Sequence, residues 1–194
     1  MKFILSSLII LTLSYSSQWI GITTNLSEES KLFVNDSNIE KSVLTFNIDG
    51  FMKKSVTTSS GESFAITTDE STPILNSGHP DLSKLTASLI IPNTGNMKVE
   101  VLDSKYIDYE NILVAPSKGN LLRSVDPESI PYEYGDQYQK NEFYPGTLAE
   151  LRDPYIARDF RGQTVIAYPF QYNPVTKTLR VHHSITVSIE NIGG

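Results

Sequence analysis

The chain has 194 residues and a mass of 21.6 kDa, a length typical of one domain with a sizeable hydrophobic core. It carries 16 Lys and Arg against 22 Asp and Glu, and this acidic balance argues against nucleic-acid binding, which uses clustered basic side chains to neutralise phosphates. The absence of cysteine excludes a disulfide scaffold, a thiolate-ligated metal and a cysteine nucleophile on this chain.

The N-terminus has the pattern of a secretory signal peptide. Lys2 supplies a positive charge, and the mostly apolar run from Phe3 to Leu13 is about 11 residues long, too short to cross the hydrocarbon core of a membrane as a helix. Small residues at the two positions that a signal peptidase reads predict cleavage after Ser16. We therefore expect residues 1–16 to be a signal peptide and residues 17–194 to form an exported domain without a stable membrane anchor.

Short apolar or alternating segments predict β-strands along the rest of the chain, at residues 44–48, 64–66, 89–91, 98–101 and 112–115. The clearest alternation is C-terminal, where one face is formed by Leu179, Val181, Ile185, Val187 and Ile189. A turn at 173–177 predicts that residues 164–190 form a long C-terminal hairpin. Roughly six to nine such strands, separated by Pro and Gly, predict an all-β antiparallel sandwich.

Residues 116–146 interrupt this strand pattern with frequent Pro and Gly. A connection of this length within a compact domain is either functional or disordered. Its aromatic side chains favour a long, ordered, functional loop, because large rings usually cover a surface; they are Tyr132, Tyr134, Tyr138, Phe143 and Tyr144. Residues 148–152 are predicted to form one helical turn, ended by Pro154.

The chain shows no catalytic signature of its own. His182 and His183 are adjacent on a strand, so their rings point to opposite faces and do not share a metal. His183 is in phase with the apolar face and is predicted to take a hydrogen-bonded core or half-core position. There is no G-x-S-x-G nucleophile elbow and no phosphate-binding glycine loop. We expect no metal, no cofactor and no enzyme activity on this chain.

The stretch Lys118-Gly-Asn-Leu-Leu-Arg-Ser124 places two cations around two leucines inside the long segment. Two interpretations stay open from these residues alone. The stretch is either a solvated loop whose cations keep it soluble, or a substrate-like segment for a trypsin-like cleft. In the second case an Arg side chain would bind a buried acid through a bidentate fork, and a Lys side chain only as a point charge.

Three groups of residues carry a family resemblance. They are Ala115-Pro-Ser-Lys-Gly119 with Arg123, Asp126-Pro127, Ile130-Pro-Tyr132, Tyr134-Gly135 and Tyr144-Pro-Gly146; Tyr168-Pro-Phe-Gln-Tyr-Asn-Pro-Val-Thr-Lys-Thr-Leu-Arg-Val181; and Gly78-His-Pro-Asp-Leu82 with Ile91-Pro92. Together they resemble the N-terminal propeptides of gingipain-type cysteine peptidases, clan CD and family C25, over roughly residues 40–190. Ser83 departs from the family pattern, in which Pro is usual at this position.

The resemblance implies a β-sandwich that assists the folding of a following peptidase and keeps it latent. In such propeptides a loop presents a basic side chain to the S1 pocket; here the candidate is Arg123 and the second candidate Lys118. The resemblance then implies that Leu121 and Leu122 lie along the cleft, and that further partner contacts come from Tyr132, Tyr134, Tyr138 and Tyr144.

The resemblance also implies where the partner is encoded and where the protein acts. A catalytic domain with a His–Cys pair is expected in cis, downstream of Gly194. The expected source is a Bacteroidetes-type Gram-negative bacterium that exports the precursor by type IX secretion, to the periplasm, the cell surface or the medium. A variant of this interpretation makes the downstream peptidase the signal peptidase of that secretion system.

Other function classes stay open from the sequence. A secreted sandwich module could use its tyrosines to stack on carbohydrate, and an adhesion domain of a larger surface protein would show the same strand pattern. A stand-alone enzyme fits the composition least well.

Overall fold

The structure, a computed structural model, describes residues 17–22 and 32–193 and consists mainly of antiparallel β-strands. The predicted signal peptide lies outside the described residues. Within them two short 3-10 helices occur, Pro127–Ser129 and Asp136–Gln139. The strands are β1 (Ser17–Gly21), β2 (Leu32–Ser37), β3 (Lys41–Asn47), β4 (Gly50–Thr58), β5 (Gly61–Thr67), β6 (Thr72–Pro73), β7 (Ser83–Ile90), β8 (Met97–Tyr109), β9 (Ala149–Leu151), β10 (Tyr155–Ala157), β11 (Phe160–Ala167), β12 (Phe170–Asn173) and β13 (Thr178–Asn191).

The strands form three sheets. One has the order β1-β4-β5, the second β10-β11-β7-β6 with β9 also paired to β11, and the third β12-β13-β3-β2 with β8 also paired to β13. Strand β13 pairs with β8 along nearly its whole length, and its other edge is shared by β12 and β3. β13 is therefore the central strand of the third sheet.

The sheets pack around one hydrophobic core, which confirms the predicted all-β antiparallel sandwich. The predicted apolar face of β13 is fully buried, from Leu179 to Ile189. Phe51 of β4 packs edge-on against the rings of Tyr109 and Phe170, with centroid distances of 5.2 and 6.0 Å, and so joins two sheets.

The C-terminal hairpin is present, but its first arm is shorter than predicted. Phe170 pairs with Val181 in the hairpin, whereas residues 162–167 pair with β7 in another sheet. The chain crosses between the sheets at Pro169, which has no N–H to donate to a strand ladder. The Pro169 carbonyl instead accepts a 2.7 Å hydrogen bond from the N–H of His182.

Two local predictions were wrong. Residues 149–151 form β9 and not a helical turn, because they pair with the free edge of β11. The apolar run 112–115 is not a strand, since it makes only a single parallel bridge, between Val114 and Phe64. In both cases tertiary contacts and not local periodicity decide the backbone conformation.

His182, and not His183, is the buried histidine of the pair. The pairing of β13 with β8 shifts register between His182 and Ser184, so His183 has no partner on β8 and is only partly buried. His182 lies beneath the Tyr106 ring, at a centroid distance of 5.3 Å. His183 therefore takes the half-core position that the sequence allowed, and the deeper burial of its neighbour His182 was not predicted, because a β-bulge interrupts the two-residue period of the strand.

Candidate functional site

The long segment 116–146 is fastened twice to one turn, residues 78–81, here called the Gly78 turn. The N–H of Gly78 donates to the carbonyl of Ser117 at 3.0 Å, and the N–H of Ser117 donates to the carbonyl of His79 at 2.7 Å. Further along, the N–H of Gly135 donates to the carbonyl of Gly78 at 2.9 Å. The stretch between Ser117 and Gly135 is therefore held at both ends by the same turn.

Residues 118–127 form the basic loop, which is closed at its base by Lys118. The Nζ of Lys118 donates a 2.7 Å hydrogen bond to the carbonyl of Pro127 and lies 4.1 Å from the centroid of the Tyr132 ring. Just after Lys118, the N–H of Gly119 donates to the Oγ of Ser117 at 3.1 Å. The hydrogen bond from Lys118 to Pro127 therefore joins the N-terminal side of the basic loop to its C-terminal side.

The second side of the loop continues into a capped 3-10 helix. The Oδ1 of Asp126 accepts the N–H of Glu128 at 3.0 Å, and the Oγ of Ser129 donates to the Asp126 carbonyl at 2.6 Å. Pro127 occupies the first helical position, where its missing N–H costs nothing. These local bonds fix the backbone where the loop returns to the sandwich.

The tip of the loop is a tight turn that exposes Arg123. The N–H of Val125 donates to the carbonyl of Leu122 at 2.9 Å, which places Arg123 and Ser124 at the two central positions of the turn. Leu122 is 74% exposed and Arg123 is exposed, whereas Leu121 is partly buried. Within residues 32–193 the Arg123 guanidinium has no hydrogen bond and no ion pair. The loop therefore presents a free guanidinium beside an exposed leucine.

The four tyrosines expected at a partner surface are all partly buried. Tyr132 lies under the Lys118 ammonium, and the hydroxyl of Tyr134 is 2.8 Å from the Oγ1 of Thr58.

Tyr138 donates its hydroxyl to the carbonyl of Val114 at 2.9 Å and packs edge-on against Tyr134. The hydroxyl of Tyr144 accepts a 2.8 Å hydrogen bond from the Nδ2 of Asn76. Burial raises the pKa of Tyr138 and of Tyr144. These rings attach the long segment to the sandwich.

A stacked arginine attaches the same segment further along. The guanidinium of Arg180 lies between the rings of Tyr106 and Phe143, 4.1 and 4.3 Å from their centroids. Its Nε and Nη2 each donate a 2.9 Å hydrogen bond to the carboxylate of Asp108. This hydrogen-bonded pair lowers the pKa of the Asp108 carboxyl. Phe143 of the long segment is thus held against β8 and β13.

Neither a metal centre nor a membrane span emerges from the described part of the chain. Within residues 17–22 and 32–193 no three His, Asp or Glu side chains converge as metal ligands. No helix in these ranges is long and apolar enough to span a bilayer.

A comparison with known families gives this geometry a family context. The model of the family Propeptide_C25 matches residues 26–192. The chain belongs to this family. The resemblance inferred from the sequence motifs is confirmed, and the chain is a non-catalytic propeptide domain of the gingipain type.

This C25 propeptide is similar in sequence to the gingipains of Porphyromonas gingivalis. It is 46% identical to gingipain R1 over 144 residues, which are 74% of this chain and 14% of that protein. It is 45% identical to gingipain R2 over 148 residues, 76% of this chain and 20% of that protein. The chain therefore spans a fifth or less of the length of these relatives.

Two solved structures share the fold. The complex of the Porphyromonas gingivalis RgpB pro- and mature domains matches with a TM-score of 0.81 and 40% identity, over 84% of this chain and 88% of that chain. A structure described as giving insight into the zymogenic latency of gingipain K from Porphyromonas gingivalis matches with a TM-score of 0.76 over 92% of this chain and 100% of that chain. At 18% identity the second match supports the fold alone.

Sequence reasoning did not find two parts of the site. The Gly78-His-Pro run stands out in the sequence only through the family resemblance, and nothing in one sequence links it to Ser117 or Gly135. The resemblance makes Lys118 the second S1 candidate after Arg123, whereas in the structure its ammonium donates a hydrogen bond to the Pro127 carbonyl at the base of the loop. The sequence indicates this contact only through a Lys-Gly pair before the loop and prolines after it. This pattern does not specify which carbonyl the Lys118 ammonium contacts.

Proposed function

We propose that this C25 propeptide keeps a cysteine peptidase latent by inserting Arg123 into the S1 pocket of that peptidase. The observation that carries the proposal is the free, exposed guanidinium of Arg123 at the tip of a loop whose base is fastened. The partner is the peptidase domain encoded downstream of Gly194 in the same precursor, and the propeptide also assists its folding. The related RgpB pro- and mature domains, which form a complex, support this choice of partner.

The basic loop has the properties of a bound inhibitor segment. A peptide inhibits well when its scaffold has already ordered it, because less conformational entropy is lost on binding. The Lys118 bond and the Asp126 cap supply this order before any partner is present. A covalently linked inhibitor also acts at an effective concentration on the order of millimolar, so that modest contacts are sufficient for latency.

Arg123 is the better S1 candidate of the two basic residues. Its planar guanidinium suits a bidentate pair with a buried carboxylate, and the described residues leave its donors unused. Lys118 already donates to Pro127 and stacks on Tyr132, so its insertion into a pocket would break both contacts. The exposed side chain of Leu122 supplies apolar contact next to Arg123, and Leu121 contributes less because it is already partly buried.

The test measures the inhibition constant of the domain against its own peptidase. Arg123→Ala is expected to raise that constant about a hundredfold or more, because it leaves a buried acid of the pocket unpaired. The inhibition constant of Arg123→Lys is expected to lie between those of wild type and Arg123→Ala. Arg152→Ala removes another exposed arginine and is the matched control, which is expected to leave the inhibition constant unchanged. An inhibition constant that is equal for wild type and Arg123→Ala would overturn the S1 assignment.

We further propose that the precursor is exported after removal of residues 1–16, and that type IX secretion carries it to the cell surface or the medium. The charged start and short apolar run of the N-terminus support export. N-terminal sequencing of the exported precursor tests this proposal: a start at Ser17 supports it, and retention of Met1 contradicts it.

A further inference from the structure

We infer that Lys118 is a positioning residue that holds the basic loop closed when the peptidase cuts the Arg123–Ser124 bond, so that the cut domain remains an inhibitor. This inference rests on the function proposed above. It assigns a role to Lys118, which does not enter the cleft of the peptidase: this residue influences whether the cut loop is rejoined or stays cut.

The first argument is the position of the Lys118 contact along the chain. Lys118 precedes Arg123 and Pro127 follows it, so their 2.7 Å hydrogen bond spans the bond that a peptidase bound at Arg123 would attack. The Tyr132 ring, also on the C-terminal side, lies 4.1 Å from the same ammonium. Both contacts therefore connect the two fragments that cleavage would produce.

The second argument is that each fragment is separately anchored close to the cut. On the N-terminal side, Ser117 is bonded to the Gly78 turn and accepts the N–H of Gly119. On the C-terminal side, Asp126 caps the 3-10 helix that begins at Pro127. The Lys118 contact joins these two ordered stems, and the sections left free by cleavage are only the few residues on either side of the cut.

The third argument concerns the turn at the tip. The hydrogen bond from Val125 to Leu122 also spans the Arg123–Ser124 bond, but it belongs to the backbone that a peptidase must open to bind an extended substrate. The Lys118 contact lies at the base of the loop, away from this turn. It is the contact that stays in place while the tip is bound.

The chemical consequence follows from the mechanism of a cysteine peptidase. The partner's thiolate attacks the Arg123 carbonyl, a C–S bond forms, the Arg123–Ser124 C–N bond breaks, and the Ser124 nitrogen leaves as an amine after taking up a proton. If that amine stays close, it loses a proton and attacks the thioester, restoring the C–N bond and releasing the thiolate. If it moves away, water attacks the thioester and the loop is lost.

A held amine reacts at a high effective concentration, whereas a mobile one does not. By holding Pro127 against the N-terminal stem, Lys118 keeps Ser124 near the thioester. Replacing Lys118 removes one charge-assisted hydrogen bond and one cation–π contact. This loss is expected to raise the ratio of cut to intact domain about tenfold. The initial affinity, which depends on Arg123, is expected to change much less.

The test compares four variants of the whole domain. Lys118→Met keeps the aliphatic stem and removes the donor, while Lys118→Arg restores a cation that donates to a carbonyl and stacks on a ring. Lys140→Met makes the same change at another surface lysine of the long segment, which pairs with Glu142 at 3.7 Å, and is the matched control. Arg123→Ala tests the proposed function itself.

Each domain is incubated with the cognate peptidase, and the intact and cut forms are quantified while residual peptidase activity is followed. Wild type, Lys118→Arg and Lys140→Met are expected to give lasting inhibition and a small cut fraction. Lys118→Met is expected to inhibit at first and then release active enzyme, with the ratio of cut to intact domain about tenfold higher. In the converse experiment, cut wild-type domain mixed with peptidase regains intact chain, whereas cut Lys118→Met domain does not.

The outcomes separate the two claims. If Arg123→Ala inhibits as well as wild type, the proposed function fails. If Arg123→Ala loses inhibition but Lys118→Met matches wild type in both duration and cut fraction, including the case in which neither is ever cut, only the inference about Lys118 fails. A Lys118→Arg variant that behaves like Lys118→Met would also overturn it, because the restored contact would then have no effect.

Discussion

Gly78 and Gly135 approach each other so closely that a Cβ atom added at either position would be in tight contact with the backbone of the other. The N–H of Gly135 donates to the Gly78 carbonyl at 2.9 Å, and a Cβ added to Gly78 would lie 3.2 Å from the Gly135 Cα. Gly78 also has a φ of +76°, in the left-handed region that favours glycine. The absence of side chains at both positions therefore lets the Gly78 turn and the long segment approach each other closely enough for this hydrogen bond without displacing backbone.

We predict that Gly78→Ala destabilises the domain and loosens the basic loop. The positive φ alone costs about 1 kcal/mol for Ala, and the contact with Gly135 adds roughly another 1–2 kcal/mol. The free energy of unfolding in urea measures the total, and the rate of tryptic cleavage at Arg123 reports loosening of the loop.

Gly61→Ala is the matched control for this prediction. Gly61 has a φ of +98°, but an added Cβ would meet nothing within 4 Å. This variant should show only the conformational cost and unchanged cleavage at Arg123. Equal losses of stability in the two variants would contradict the importance of the contact between Gly78 and Gly135.

We predict opposite effects for two residues assigned to the partner surface by sequence reasoning. Leu122→Ala should leave the free energy of unfolding within about 0.5 kcal/mol of wild type, because its side chain is mostly exposed, yet weaken inhibition several-fold. Tyr138→Ala should cost roughly 3–5 kcal/mol of stability, since it removes a ring packed against Tyr134 and a hydrogen bond to Val114. Urea unfolding and inhibition assays on both variants check the contrast; a stable Tyr138→Ala domain that binds poorly would contradict it.

We predict that Arg180→Lys loosens the long segment at Phe143. Lysine cannot form the two-point bond with Asp108 and stacks less well between the rings of Tyr106 and Phe143. Because the pair is partly exposed, the expected loss is about 1–2 kcal/mol in the free energy of unfolding. Lys41→Arg, at the exposed pair with Glu190, is the control and should be neutral. A neutral Arg180→Lys would show that the stacked guanidinium adds nothing beyond its charge.

The parts of this structure that the sequence predicts are those with a local period. The alternation from Leu179 to Ile189 predicts the central strand, and the run at 44–48 predicts β3, because each strand buries one face. The bulge at His183, the crossing at Pro169 and the pairing of residues 149–151 depend on distant strands. For the same reason the exposed tip at Arg123 could be inferred from its loop, but the contacts of Lys118 and Gly78 could not.

The last prediction concerns the pH dependence conferred by the buried imidazole of His182. Its Nε2 lies 3.0 Å from the Oε1 of Gln171, and in the described part of the chain its Nδ1 has no hydrogen-bond partner. Burial lowers its pKa to about 4, assisted by the positive Arg180 and by His183 on the same strand and opposed by Asp108 on β8. Protonation would create a buried positive charge on the imidazole, and its Nδ1–H would have no hydrogen-bond acceptor among the described residues.

In the unfolded chain His182 takes up its proton near its ordinary pKa of about 6.5, and in the folded domain only near 4. Between these values the unfolded state binds more protons, so the stability contributed by the neutral ring is complete above about pH 6.5 and is lost as the pH falls toward 4, at up to about 1.4 kcal/mol per pH unit. Urea unfolding across this range measures the loss. His182→Gln should show a shallower decline than wild type, whereas His183→Gln should retain most of the wild-type slope; parallel curves for wild type and His182→Gln would contradict a neutral, buried His182.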